Sequence, residues 1–167
     1  MAEKKESQRP THELTYGETP YVTIDAIFKH IPHTEFNTFY DLGCGKGRVV
    51  FYVNARYKLK SIGVDVIPTF ITVASKIASV KNIKGVQFIL KDFLKLDLKR
   101  KAIVLVCPTC LDKPTIASLF KRLETLPKDS IVITNSVPIQ SNTIECTHTL
   151  EEPFSWGRSL VYIHKII

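Results

Sequence analysis

The sequence predicts a single α/β domain on a seven-stranded sheet, mostly parallel, that closes with an antiparallel hairpin at its C-terminal end. Three observations predict it. An apolar run ending in Phe39-Tyr40 passes through the glycine-rich stretch Asp41-Leu42-Gly43-Cys44-Gly45-Lys46-Gly47 into Arg48-Val49-Val50-Phe51, a strand, a tight turn and a helix in succession. Apolar runs then alternate with helical periodicity as far as Asn135, the pattern that lays strands parallel. The last two runs follow one another without a helix between them, and so short a link makes an antiparallel pair.

The elements follow in order. Residues 1–14 are polar, mixed in charge and aperiodic, the composition of a flexible tail ahead of one domain over 15–167. Thr19-Pro20 offers a capping hydroxyl and a first-turn proline, and Ile24, Ile27, Phe28 and Ile31 form one apolar helical face that Pro32 stops. Alternation over Phe36–Tyr40 is the first strand, and Arg48–Tyr57 the helix after the glycine turn. Leu59–Asp65 is the second strand. Pro68 opens a helix carrying Phe70, Ile71, Ala74, Ile77 and Ala78 that closes near Asn82–Gly85. Val86–Leu90 is the third strand, and the continuous apolar run Ala102–Cys107 is a central strand buried on both faces. Asp112 caps a helix with Ile116, Leu119, Phe120 and Leu123 in register, and Ser130–Asn135 is the fifth strand. Thr143–Leu150 and Leu160–Ile166 are the closing hairpin, linked through Glu152–Gly157.

Composition bounds the function. Apolar residues make up 44% and charged residues 23%, as in ordinary soluble domains. Lys plus Arg number 23 against 16 acids, a net +7 that suits an acidic partner or nucleic acid, and equally a lysine-rich composition with neither. No apolar run reaches the length of a membrane span and Met1–Pro10 is charged, so no membrane segment or signal peptide is expected and the location is read as cytoplasmic. The cysteines at 44, 107, 110 and 146 include a CxxC, Cys107-Pro108-Thr109-Cys110. A redox pair and half of a zinc site are the sharp readings. A zinc ribbon needs a second CxxC, which is absent, so reduced thiols beside a crevice are the preferred account. The five histidines have no ligand spacing, and no metal is expected.

A glycine turn between strand and helix brings backbone N–H groups against an anionic or zwitterionic ligand. Spacing narrows the choice. A dinucleotide fingerprint needs glycine at 48, where Arg48 stands, and a P-loop needs Gly-Lys-Ser/Thr, which Lys46-Gly47 does not supply. Twenty-two residues past Gly43 the run Ile62-Gly63-Val64 ends in Asp65, a carboxylate placed to accept both hydroxyls of a ribose.

The remaining pattern, acid-x-Gly-x-Gly-x-Gly, resembles the first motif of class I S-adenosyl-L-methionine-dependent methyltransferases, whose seven-stranded sheet is Rossmann-like. Tyr16-Gly17-Glu18-Thr19, Asp92-Phe93 after the third strand, and Ser155-Trp156-Gly157 with Val161-Tyr162-Ile163-His164 resemble the Dot1-like protein-lysine methyltransferases. Among the departures from the likeness, Cys107-Pro108-Thr109 replaces that family's Asn-Asn-Phe, and Val161 replaces one tyrosine of its closing strand. The resemblance implies S-adenosyl-L-methionine as cofactor. Gly43, Cys44, Gly45 and Gly47 would bring backbone to its methionine and ribose, and Asp41 would lie near its amine. Asp65 would take the ribose hydroxyls, Asp92 and Phe93 the adenine. Glu18 and Thr19 would close over the methionine end, with Cys107 beside them on the crevice wall. It further implies a protein substrate with an accessible lysine, entering a channel among Tyr16, Phe154, Trp156 and Tyr162. Rings of this kind favour the neutral amine by desolvation. Two readings stay open beside it. One is methylation of RNA or a small molecule, with Lys91, Lys95, Lys99, Arg100 and Lys101 tracking phosphates; the other is a non-catalytic cofactor-binding module.

Overall fold

The computed structural model describes residues 17–167. The expected tail over 1–14, and Tyr16 with it, lie outside the described residues. The elements run α1 (Tyr21–Phe28), β1 (Thr38–Leu42), α2 (Arg48–Tyr57), β2 (Lys60–Asp65), α3 (Pro68–Val80), β3 (Val86–Leu90), β4 (Ile103–Val106), α4 (Lys113–Leu123), β5 (Ile131–Asn135), β6 (Ile144–Phe154) and β7 (Gly157–Ile166). The seven strands form one sheet in the order β3-β2-β1-β4-β5-β7-β6. β1 to β5 pair in parallel and β7 runs antiparallel to both β5 and β6, which is the predicted architecture.

Period-two alternation divides the central strands between two cores. Tyr40, Val104, Val106 and Val132 face Leu119 and Leu123 of α4; Phe39, Ile103, Leu105 and Ile133 face Ile24, Ile27 and Phe28 of α1 and Val49 and Val53 of α2. β1 is therefore buried at every position, and only its C-terminal end opens to a ligand. Strand order runs outward in opposite directions from β1 and β4, so the crevice of this sheet lies beyond their carboxyl ends.

Local differences from the expected elements have physical causes. The Thr19 hydroxyl does not cap α1. Pro20 is the N-cap residue, its carbonyl accepting from Thr23 and Ile24 N–H, while buried Thr19 turns toward Cys107. α1 ends at Phe28, so Ile31 reaches its core from the loop beyond. β1 starts at Thr38 and continues through Leu42, because its pairing with both β2 and β4 persists to the glycine turn. The hairpin is longer than expected, with pairing carried through Pro153↔Arg158 to Phe154↔Gly157 and only Ser155-Trp156 left as the turn. Proline is tolerated there because β6 is the edge strand. Among the described residues no helix is long and apolar enough to cross a membrane.

Gly47, the N-cap residue of α2, has φ +80°, and a Cβ there would run into the Phe88 ring and stand 3.3 Å from Ala74 Cβ. Gly47→Ala should cost about 2–4 kcal/mol, combining left-handed backbone strain with overpacking, and lower the urea midpoint without changing the m-value.

Candidate active site

A cavity of about 390 Å³ opens at the carboxyl ends of the parallel strands, within the usual size range for small-molecule sites. Its floor is the glycine turn, which is stitched to the end of β2. Gly43 and Cys44 N–H both donate to the Val64 carbonyl, at 2.8 and 3.1 Å. Asp65 Oδ2 accepts from Gly45 N–H at 2.8 Å, and Oδ1 from Ile67 N–H at 2.9 Å. Asp65 thus locks the turn while its carboxylate faces the cavity.

Asp41 lies on the same floor, buried to 7% exposure. Burial first, and then the charge of Asp65, push its carboxyl up to about 7; no cation among the described residues offsets either effect. A buried carboxylate beside a second one, as Asp41 is beside Asp65, favours a cationic ligand. Burial, reinforced by Asp41 and Asp65, also holds the Cys44 thiol protonated. Cys107, open to the cavity but surrounded by protein, is pushed up to about 12, burial again leading, although the Thr19 hydroxyl hydrogen-bonds its sulfur. Cys110 lines the same wall, and all four cysteines are free. Among the described residues no group of three side chains could hold a metal ion.

The mouth is a clasp between distant segments. Ser155 N–H donates to the Glu18 carbonyl at 3.1 Å, and Glu18 N–H donates back to Ser155 Oγ at 2.8 Å. The Glu18 carboxylate pairs with Arg48, whose guanidinium lies 5.2 Å from the Tyr21 ring centroid. Trp156 stacks on Phe154 with centroids 4.7 Å apart, and any Cβ on Gly17 would run into its indole.

Ten of the anticipated residues line this cavity: Glu18, Thr19, Asp41, Gly43, Cys44, Gly45, Asp65, Phe93, Cys107 and Trp156. Gly47 stands one step behind, as the N-cap of α2. Asp92 caps the 3-10 turn Phe93–Lys95, its Oδ1 accepting from Leu94 N–H at 2.9 Å. Tyr162 is not brought to the wall: it lies within β7 opposite Thr134 and Thr149. His164 lies within β7 with its side chain fully buried, its Nε2 accepting from Ile139 N–H at 3.1 Å, and burial holds it neutral. Sequence reasoning missed Arg48 and Thr109 as lining residues. The available signal was position: both directly follow a strand end or its turn, where this fold class builds its sites.

A methyltransferase domain family profile matches residues 34–160. Among solved structures, an RNA methyltransferase from Salinibacter ruber in complex with S-adenosyl-L-homocysteine superposes with TM-score 0.65 at 20% identity, covering 89% of this chain and 93% of that one. A putative methyltransferase from Escherichia coli gives 0.72 at 12% identity, covering 96% and 88%. The magnesium protoporphyrin IX methyltransferase of Synechocystis PCC 6803, with bound S-adenosylmethionine, gives 0.68 at 16%, covering 93% and 88%. At these identities the likeness is one of fold. The H3 lysine-79 specific histone-lysine N-methyltransferase of Drosophila melanogaster is 34% identical over 64 residues, a stretch that covers 38% of this chain and 4% of that protein.

Proposed function

This chain belongs to the methyltransferase domain family, and on that premise we propose that it transfers the methyl group of S-adenosyl-L-methionine to a lysine side chain of a protein. The residues of the cavity fit that donor. Asp41, buried and facing the cavity, answers the ligand's ammonium, and the Asp65 carboxylate, on the same cavity floor, is the acceptor for ribose hydroxyls. The turn at Gly43, Cys44, Gly45 and Gly47 presents backbone to it, Asp92 and Phe93 meet the adenine, and Glu18, Thr19 and Cys107 flank the methionine end. When bound, the donor supplies a methyl group already activated on a sulfonium. The protein's contribution is alignment, which can supply on the order of 7–11 kcal/mol of the barrier.

The observation that carries the lysine reading is Trp156, 44% exposed at the mouth, stacked on Phe154 and seated against Gly17. A flat apolar ring there strips water from a long amine and fixes its direction at low entropic cost. The 64-residue match to a lysine methyltransferase supports it. Lys99 pairs with Asp97 at 2.8 Å and Lys101 with Glu35 at 3.9 Å, which weakens the basic stretch as a phosphate track. Glu18 is committed to Arg48 and His164 is sealed in the core, so neither serves as base; the ammonium loses its proton to water before attack.

Transfer of a labelled methyl to a lysine-rich protein, located by mass spectrometry, is the test. The rate should rise with pH toward the lysine pKa of about 10.4. Trp156→Ala should lower turnover at least about ten-fold and leave S-adenosylhomocysteine affinity within a few-fold. Label found only on RNA, a small molecule or another residue type would overturn the lysine assignment. Tight homocysteine-analogue binding with no transfer to any acceptor would instead mark a binding module.

A further inference from the structure

Asn135, the last residue of β5, is 1% exposed, and its Oδ1 is a buried oxygen with no hydrogen-bond partner. Its Nδ2 donates at 2.9 Å to Oγ1 of Thr109, which stands in the cavity wall between Cys107 and Cys110. Val106 pairs with Thr134 across β4 and β5, so Asn135 lies one step along from that pair, level with Cys107. The corner is over-determined. Ser136 takes φ +61°, a left-handed conformation uncommon for serine, and Val137 N–H closes a three-residue turn on the Asn135 carbonyl at 2.7 Å. Thr134 Oγ1 donates to the Val137 carbonyl at 2.8 Å, Ser136 N–H donates to the Leu160 carbonyl at 2.8 Å, and Ser136 and Ser159 hydroxyls meet at 2.6 Å.

A buried amide whose oxygen is unpaired destabilises the fold relative to an apolar residue of the same shape. Strain and unsatisfied polarity concentrated at one strand end are what functional sites retain at the expense of stability. We propose that Asn135 is a positioning residue for the methyl acceptor and Thr109 the group that the acceptor touches. With Asn135 occupying one lone pair of Oγ1, Thr109 offers its second lone pair in a wall shared with Leu105, Val106, Leu111 and the protonated thiol of Cys107. A neutral amine that donates an N–H to that lone pair keeps its own lone pair for the incoming methyl carbon. Nitrogen gains the carbon, the sulfonium leaves as thioether, and the amine proton is shed to water.

This rests on the cavity being the transfer site, and the experiment separates the two. Thr109→Val, Asn135→Leu and the double variant are compared with wild type in thermal midpoint, S-adenosylhomocysteine affinity and turnover, the last on whichever acceptor the wild type labels. The double variant should match or exceed the wild-type midpoint and bind the homocysteine analogue within about three-fold. Its kcat/KM should fall at least about ten-fold, no further than the worse single variant, because the two residues act as a unit. Thr109→Ser, which keeps the hydroxyl, should recover most of the turnover. Full turnover in the double variant would overturn the proposal, as would a loss that tracks the midpoint or fails to recover with serine. A wild type that labels RNA rather than lysine would overturn the lysine assignment alone, and one that binds the analogue but labels nothing would overturn both.

Discussion

Asp65→Ala should weaken S-adenosylhomocysteine binding by roughly thirty-fold to a thousand-fold, the equivalent of about 2–4 kcal/mol. Two losses add. The proposed hydrogen bonds from the ribose hydroxyls go to a charged acceptor, which makes them among the stronger kind. The same carboxylate accepts from Gly45 N–H and Ile67 N–H at 2.8 and 2.9 Å, so its removal also releases the glycine turn from the end of β2. Asp65→Asn should fall between the two proteins, because one amide oxygen cannot serve both N–H groups and a ligand. Calorimetry gives the affinities, and thermal unfolding of the free protein gives the turn's share. Equal affinities for Asp65→Ala and wild type would remove Asp65 from the site.

The parts of the fold legible in the sequence are those set by local periodicity. The apolar run Ala102–Cys107 reads as a central strand and holds β4, and a glycine turn ahead of β-branched Val49 and Val50 still forced a helix, because its backbone dictates the next turn. Legibility ended where a residue's partner is distant in sequence. Thr19 reads locally as a cap, yet its hydroxyl meets Cys107 across the cavity. The sixth strand reads as ending at Leu150, and only the edge position of β6 lets its pairing run on through Pro153. The site divides the same way. Asp41, Asp65 and the glycines carry a spacing signature, because one strand–turn–helix unit and the next strand hold them all. Thr109 and Asn135 carry none, because their contact exists only once β4 and β5 lie side by side. Trp156 could be singled out as the sole tryptophan, but its seat against Gly17 depends on the Ser155–Glu18 bonds that join opposite ends of the chain.

Binding of S-adenosylhomocysteine should weaken about ten-fold between pH 8 and pH 6 and about a hundred-fold by pH 5, through one titrating group, Asp41. Burial and the neighbouring Asp65 push its carboxyl up to about 7 in the free protein. A ligand ammonium binds the ionised form, so affinity follows the ionised fraction, which drops about ten-fold per pH unit below the pKa. Near pH 6 binding should release close to one proton, visible as a calorimetric heat that varies with the ionisation enthalpy of the buffer. Stability runs the other way. The folded pKa lies above the unfolded value of about 3.9, so the folded state holds the extra proton between the two. This group's contribution is therefore fully present below about pH 4 and lost as pH rises through 7, up to about 4 kcal/mol across the window. Asp41→Asn should remove the pH dependence of binding, lower affinity at pH 8, and raise the thermal midpoint of the free protein there, because no charge is left to bury. An affinity that stays flat from pH 8 to pH 5 in wild type, with no proton released, would show that the ligand's cation does not reach Asp41.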